Sequence, residues 1–365
     1  MPPIHYIVIK SHDGEGLAVL TGVADTGFMR LSSAVQVNAA GMLTFSMLAT
    51  NPIIALLTDD TQVEHWWNQT LFFRGLFQHP GQYMVDERDS EIFTATCYGE
   101  KDLLNRSVVA WKAGTQNLAL FENMAAESIL HTLVRYNATL DATVENGRLV
   151  TYPENRISVE DDLGRGAMIT PGDLAGKSLL EALQQVATMG GVDFDLIRTG
   201  PKSWVFRVYA GQRGVDRTQS VVFGRTRRNV SSMAYNDTPQ DPRTVAIIAG
   251  NGEGADRAFA VRYGPDYNAA NHREVFASQI SEVGGEAIIQ AEGDRLLDEK
   301  RLRPSLNFTP LQRAGVRFGT DYNVGDLVSA VYRTVNATFK VIGATVSVVA
   351  GSPEQVVVEF KQLSQ

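Results

Sequence analysis

Runs in which apolar and polar residues alternate, broken every few positions by Gly, Pro, Asn or Asp, fill both ends of this 365-residue chain. This pattern constrains the fold most, because period-two hydrophobicity suits a half-buried strand and defeats a helix. In residues 42–48, Leu43, Phe45 and Met47 fall on one face, Thr44 and Ser46 on the other. Residues 92–98 alternate again, and the apolar run 17–23 is closed by Asp25-Thr26-Gly27. Ser11-His12-Asp13-Gly14, Asn51-Pro52 and His79-Pro80-Gly81 supply turns. The last third repeats the plan, with strands at 244–249, 317–318, 326–332, 339–349 and 355–363 and a turn at Gly351-Ser352-Pro353. One helix interrupts it near 285–301, where Ile288, Ala291, Leu296 and Leu297 recur at helical spacing. Many short strands spaced by turns predict antiparallel barrels or sandwiches.

The middle changes period. Ile129, Leu130, Leu133 and Val134 predict a helix within 122–136. Residues 138–160 are polar and irregular and read as an exposed loop. Leu179, Leu180, Leu183 and Val186 predict a second helix over 178–189, with Ser178 and Glu181 at capping-box spacing and Gly190-Gly191 as its stop. Strands at 192–197 and 203–209 follow, joined by Thr199-Gly200-Pro201. The class is therefore α+β and β-rich. Its expected units are a first β-barrel domain over 1–112, a mixed α/β lobe over 113–212, and a second β-barrel domain over 213–365 that carries the late helix.

The formal net charge is −8. Nucleic-acid affinity comes largely from Lys and Arg displacing counterions, so general phosphate binding is disfavoured. The single cysteine, Cys97, can make no internal disulfide and lies in an alternating strand, where a small buried residue fits. The N-terminus lacks the basic start and apolar run of a signal peptide, and no stretch has the length and apolarity of a membrane span. Synthesis in the cytoplasm is expected.

Few residues promise chemistry. None of the six histidines has an i, i+4 partner histidine, and His131 reads as a packed helix residue. No nucleophile elbow or P-loop occurs. Asp59-Asp60, Glu160-Asp161-Asp162 and Asp193-x-Asp195 are paired acids, as glycoside hydrolysis needs, but acids in turns are commonly solvated, and Asp193 and Asp195 flank Phe194 on a strand's polar face. Gly250-Asn251-Gly252-Glu253-Gly254-Ala255 matches a loose dinucleotide fingerprint, which requires a following helix. Here Phe259, Val261 and Tyr263 alternate with Ala258, Ala260 and Arg262, so the glycines read as a turn between strands. No catalytic, cofactor-binding or metal-binding residue is expected. Trp66-Trp67 cannot both be buried on one strand, and an exposed tryptophan would suit an interface or a glycan platform.

Four stretches in order carry a family likeness: Tyr98-Gly99-Glu100-Lys101-Asp102-Leu103-Leu104-Asn105-Arg106; Gly252-Glu253-Gly254-Ala255-Asp256-Arg257; His272-Arg273-Glu274-Val275-Phe276; and Tyr322-Asn323-Val324-Gly325-Asp326-Leu327-Val328. With them the chain resembles the tail-hub, or tail-associated minor tail, proteins of siphophages, most of all those infecting actinobacteria and similar hosts. The resemblance implies a baseplate-hub fold, with two small antiparallel barrels and intervening α/β lobes. It implies a homotrimeric ring of six similar barrels that continues the tail tube and adapts sixfold to threefold symmetry. The implied partners are a distal tail protein hexamer, the tape-measure protein and tip or fibre proteins, with DNA passing through unbound. It implies a place in the virion tail tip. Because the chain stops soon after its last strand, no C-terminal fibre or enzyme extension is expected. A receptor- or carbohydrate-binding module and a cell-wall hydrolase of the tip are the alternatives.

Overall fold

A computed structural model describes all residues except 1–3, 23–26, 79–80, 86–89, 112–118, 154–155, 237–241, 251, 253, 279–284, 301–304, 350 and 364–365. The turns expected at Asp25-Thr26 and His79-Pro80, and the expected boundary at residue 112, lie outside the described residues. The chain opens with β1 (His5–Lys10), β2 (Gly16–Thr21), β3 (Arg30–Gln36), β4 (Met42–Leu48), β5 (Gln62–Trp67), β6 (Thr70–Phe77), β7 (Gln82–Val85) and β8 (Glu91–Gly99). The middle holds α1 (Asp102–Asn105), β9 (Met124–Ala125), α2 (Ala126–Ala138), β10 (Ile157–Val159), β11 (Met168–Ile169), α3 (Leu179–Gly190), β12 (Val192–Gly200) and β13 (Ser203–Ala210). The remainder is β14 (Val222–Gly224), β15 (Val230–Asn236), β16 (Val245–Ala249), β17 (Phe259–Tyr263), β18 (Glu274–Ser278), α4 (Gly285–Glu299), β19 (Ser305–Pro310), β20 (Leu327–Tyr332), β21 (Val335–Val349) and β22 (Gln355–Gln362).

The alternation seen in the sequence sets the inner faces. On β4, Leu43, Phe45 and Met47 are buried, as are Phe93, Ala95 and Cys97 on β8. Together with Ile7, Ile9 and Leu20 they form one core. A second core, around Phe223, Phe318, Tyr322, Val328, Phe339 and Val341, fills the far end. Both lie on one twelve-stranded sheet in the order β14-β20-β21-β3-β4-β8-β6-β5-β1-β2, with β22 on β21 and β7 on β8. Strands from the two ends of the chain meet where β3 pairs antiparallel with β21, Ala34 opposite Thr345. Among the described residues no ladder returns from β2 to β3 or from β14 to β22. The β-rich class holds, the two strand-rich halves lying on one continuous sheet, and no closed barrel is found among the described residues.

The middle of the chain packs α2 and α3 with a three-stranded sheet in the order β10-β13-β12. Ile129, Leu130, Leu133 and Val134 of α2 and Leu179, Leu183 and Val186 of α3 are buried in its core with Phe194, Trp204 and Phe206. Full burial of each such aliphatic side chain contributes roughly 1.5–3 kcal/mol. Gly191 closes α3 in the left-handed region, at φ 64°. The capping box expected of Ser178 and Glu181 does not form. Ser178 is held by a bridge to Val108, and its hydroxyl turns to Asn105 Oδ1 at 2.8 Å. A separate three-stranded sheet, β17-β16-β18, carries α4 on one face. β15 and β19 form a further antiparallel pair.

Candidate functional site

A polar seam runs between the β12–β13 hairpin and the large sheet. Asp193 and Asp195 stand on the polar face of β12, as their spacing requires, but charged groups rather than solvent cover that face. The Asp193 carboxylate, 1% exposed, accepts from Lys340 Nζ of β21 at 2.5 Å and from the Arg213 backbone N–H at 2.9 Å. Asp195 pairs with Lys101 Nζ at 2.9 Å and Arg213 Nη1 at 2.5 Å. Asn38, at positive φ in the β3–β4 turn, accepts from the Phe194 N–H at 2.8 Å, and its carbonyl accepts from Gln184 of α3. Arg198 pairs with Glu100 at 3.2 Å and also donates to Gln62. The sequence signal for this seam was present in Asp193-x-Asp195, but the alternating pattern carries no information on what lies opposite.

The residues singled out in the sequence close separate junctions. Gly99 ends β8, where an added Cβ would lie 1.7 Å from the Ala40 carbonyl oxygen, so only glycine fits. Leu103 and Leu104 of α1 are buried in the lobe core. Arg106 donates to both carboxylate oxygens of Asp60, at 2.7 and 3.1 Å, and Arg156 adds a third bond at 3.1 Å. Burial pushes the Asp60 carboxyl up, but the bonds from Arg106 and Arg156 outweigh it and hold it below the ordinary range. Gly252, at φ 104°, lies in the turn between β16 and β17, where a single 3-10 turn over Gly254–Asp256 gives way to a strand and no α-helix follows. The dinucleotide reading therefore lacks its helix. Asp256 lies in that turn, and Arg257 ties it to Gly250 O at 3.1 Å and Ser278 Oγ at 2.6 Å. Arg273 and Glu274 lead into β18, Glu274 paired with His272 at 2.9 Å. Tyr322 is fully buried in the second core. Gly325, at φ 99°, precedes Asp326, which accepts from the Val215 N–H, Arg217 Nε and the Asn323 N–H at 2.7, 2.8 and 2.9 Å.

The two tryptophans face opposite ways. Trp67 is buried and stacks on Phe318. It also lines a groove of about 390 Å³ with Phe72, Arg213 and Arg317. Trp66 is half-buried, stacked on Tyr6 at 6.0 Å, and its indole N–H donates to Glu64 at 3.0 Å. Trp66 therefore does not stand free: Tyr6 is its direct partner on β1, and Glu64, two residues back, shares its strand face.

Histidines and carboxylates meet in two further places. Glu127, His131 and Glu160 bring ligand atoms within 4.8 Å of one another. Arg165 Nη1 already lies 3.1 Å from Glu127 and 2.9 Å from Glu160, so the position a metal ion would take holds a guanidinium. His131 is 3% exposed, and burial lowers its pKa. His5 bridges Glu354 at 2.7 Å and His65 at 3.1 Å. Burial, then the neighbouring His5, lowers His65 to about 3, so its imidazole is neutral. The acids Asp60, Glu160, Asp193 and Asp195 are all engaged by Lys or Arg, which suits clamps between elements; at Asp60 and Glu160 those bonds hold the carboxyl below the ordinary range.

A model of the family described as siphovirus ReqiPepy6 Gp37-like protein matches residues 16–360. The chain belongs to this family. Three solved structures are similar across nearly the full length. They are a tail protein from Neisseria meningitidis MC58 (TM-score 0.57, 13% identity, 99% of this chain and 97% of that one), the 43 kDa tail protein of prophage MuSo2 from Shewanella oneidensis (0.56, 10%, 98% and 97%), and the prophage tail protein gp18 from Listeria monocytogenes EGD-e (0.50, 11%, 97% and 94%). At these identities the likeness shows the fold, which is that of phage tail proteins. A search of curated protein sequences found no match. The chain is thus a member of a siphovirus protein family with the fold seen in phage tail proteins. No described helix is long and apolar enough to cross a membrane.

Proposed function

We propose that this tail protein is the hub of the siphophage tail tip. Three copies form a ring in which the two strand-rich halves of each chain act as six barrel-like wall segments. The ring continues the tail tube, converts sixfold to threefold symmetry and gates the exit of the tape-measure protein and DNA. Residues 1–112 and 213–365 carry the wall strands and 113–212 most of the lobe that braces them, with Leu103 and Leu104 of the first segment packed into the lobe core. A distal tail protein hexamer stands above, and tip or fibre proteins below.

The observation that carries this reading is the β3–β21 pairing, which joins two halves with separate cores into one continuous wall. A formal net charge of −8 suits a duct through which DNA slides without sticking. A structural rather than catalytic role is supported by the engagement of the paired acids in ion pairs between elements. The test is solution mass and negative-stain imaging of the purified protein. The expected result is a particle of three times the chain mass of 39.9 kDa with a central lumen. A monomer that clears a peptidoglycan gel would overturn the reading.

A further inference from the structure

The groove beside Trp67 lies between residues of the two ends of the chain, and both of its walls are braced. One wall is the β5–β6 hairpin, whose turn residues Asn68 and Gln69 sit at φ 48° and 66°. Asn68 is pinned to Ile4: its Oδ1 accepts from the Ile4 N–H at 3.0 Å, and its own N–H donates to the Ile4 carbonyl at 2.9 Å. The other wall is the loop 317–324. The Gly319 N–H donates to Tyr322 O at 2.9 Å, and the Asp321 N–H to Arg317 O at 2.8 Å. The Asp321 carboxylate is spent on the Arg317 N–H at 2.7 Å, and the Asn323 N–H donates to Asp326 at 2.9 Å. These bonds shape the groove without an occupant, which spares a small ligand the cost of ordering its site. The volume of about 390 Å³ falls within the usual range of such sites, roughly 300–1,000 Å³.

The lining selects the chemistry. Apolar Trp67, Phe72, Phe318 and Val324 share it with polar Asn68, Thr70, Thr320 and Asn323. A purely apolar occupant would strip water from these amides and hydroxyls and return no hydrogen bonds. A sugar ring answers both kinds of neighbour, with C–H faces for the apolar floor and hydroxyls for the rim. The charged lining residues are Arg213 and Arg317, with no acid among them, so an anion is favoured. Arg213 already serves Asp195. The side chains of Arg317, Thr320 and Asn323 have no bonding partner among the described residues. A guanidinium grips a carboxylate or a phosphate through two parallel bonds.

We propose that this groove binds an acidic saccharide, a sugar unit that carries a carboxylate or a phosphate. Arg317 holds the anion, Thr320 and Asn323 meet ring hydroxyls, and the C–H face of the sugar rests on the apolar floor. The assignment stands on the groove alone and does not depend on the ring proposed above.

The test titrates the purified full chain with digalacturonate, glucose 1-phosphate, lactose and N-acetyl-leucine. Saturation-transfer NMR detects binding, and calorimetry gives Kd. Digalacturonate or glucose 1-phosphate is expected to bind, the tighter of the two naming the anion, and lactose to bind at least about tenfold more weakly. Arg317→Ala should weaken the acidic sugar by about tenfold or more with an unchanged melting temperature, because Arg317 is exposed. Arg313→Ala, at an exposed arginine outside the groove, should leave Kd unchanged. Failure of both acidic sugars to bind up to their solubility limit overturns the proposal. Equal affinity for lactose, or binding that survives Arg317→Ala, overturns the role of the anion. Binding of N-acetyl-leucine but of neither sugar overturns the saccharide and makes the groove a site for an apolar carboxylate such as a peptide terminus.

Discussion

Replacing Asp193 by alanine removes the carboxylate at the centre of the seam between lobe and sheet. In the intact protein that group is 1% exposed and accepts from the Lys340 ammonium at 2.5 Å and the Arg213 N–H at 2.9 Å. The variant leaves the 13%-exposed Lys340 charge without its carboxylate and the Arg213 N–H without its acceptor. Removing one partner of a buried pair costs about 3–5 kcal/mol. Lys340 keeps one acceptor, Gly211 O at 3.1 Å, so the lower end, about 3 kcal/mol, is expected. Lys340→Met removes the stranded charge, so Asp193→Ala with Lys340→Met should recover part of the loss, with a coupling of about 2 kcal/mol in a double-mutant cycle. Urea denaturation followed by tryptophan fluorescence measures both, because Trp204 lies buried in the lobe core beside β12. A cost below about 0.5 kcal/mol for Asp193→Ala, or no coupling, would refute the reasoning that this pair docks the lobe.

Two further outcomes follow. His65 is neutral in the fold with a pKa lowered to about 3, against an unfolded value near 6.5. The unfolded state therefore binds the proton first, and stability should be full above about pH 6.5 and fall continuously toward pH 3. Scanning fluorimetry between pH 7.5 and 5 should show a falling melting temperature that His65→Phe flattens; a flat wild-type curve would contradict it. Gly99→Ala places a methyl 1.7 Å from the Ala40 carbonyl and should cost more than about 3 kcal/mol or abolish soluble expression, whereas Gly351→Ala, with open space but a φ of 81°, should lose only about 1 kcal/mol. Equal melting temperatures for the Gly99 and Gly351 variants would count against the close approach.

Strand faces were legible in the sequence because period two is local: Leu43, Phe45 and Met47 name their own inner face. The turn at Gly252 was legible for the same reason, since the residues after it alternate where a nucleotide site needs a helix. Pairing was not legible. Nothing in Ala34 or Thr345 announces the other, and the β3–β21 ladder joins strands from opposite ends of the chain. Barrel closure was not legible for the same reason, because counting strands does not reveal which edges meet. Asp193 and Asp195 were assigned the correct face, but a face's polarity does not distinguish water from Lys340 and Arg213. Ser178 had the spacing of a capping box, yet Asn105 competes successfully for its hydroxyl. The family likeness in four ordered stretches reached the tail fold, while those stretches are separate junctions rather than one site.

The most direct measurement is a cryo-electron-microscopy reconstruction of the intact tail with this chain assigned by fit. Three copies are expected at the tip, ringed around a channel continuous with the tail tube, each contributing both halves of its sheet to the wall. Density for the chain at the periphery, or as one axial copy with no channel through it, would contradict the proposed hub.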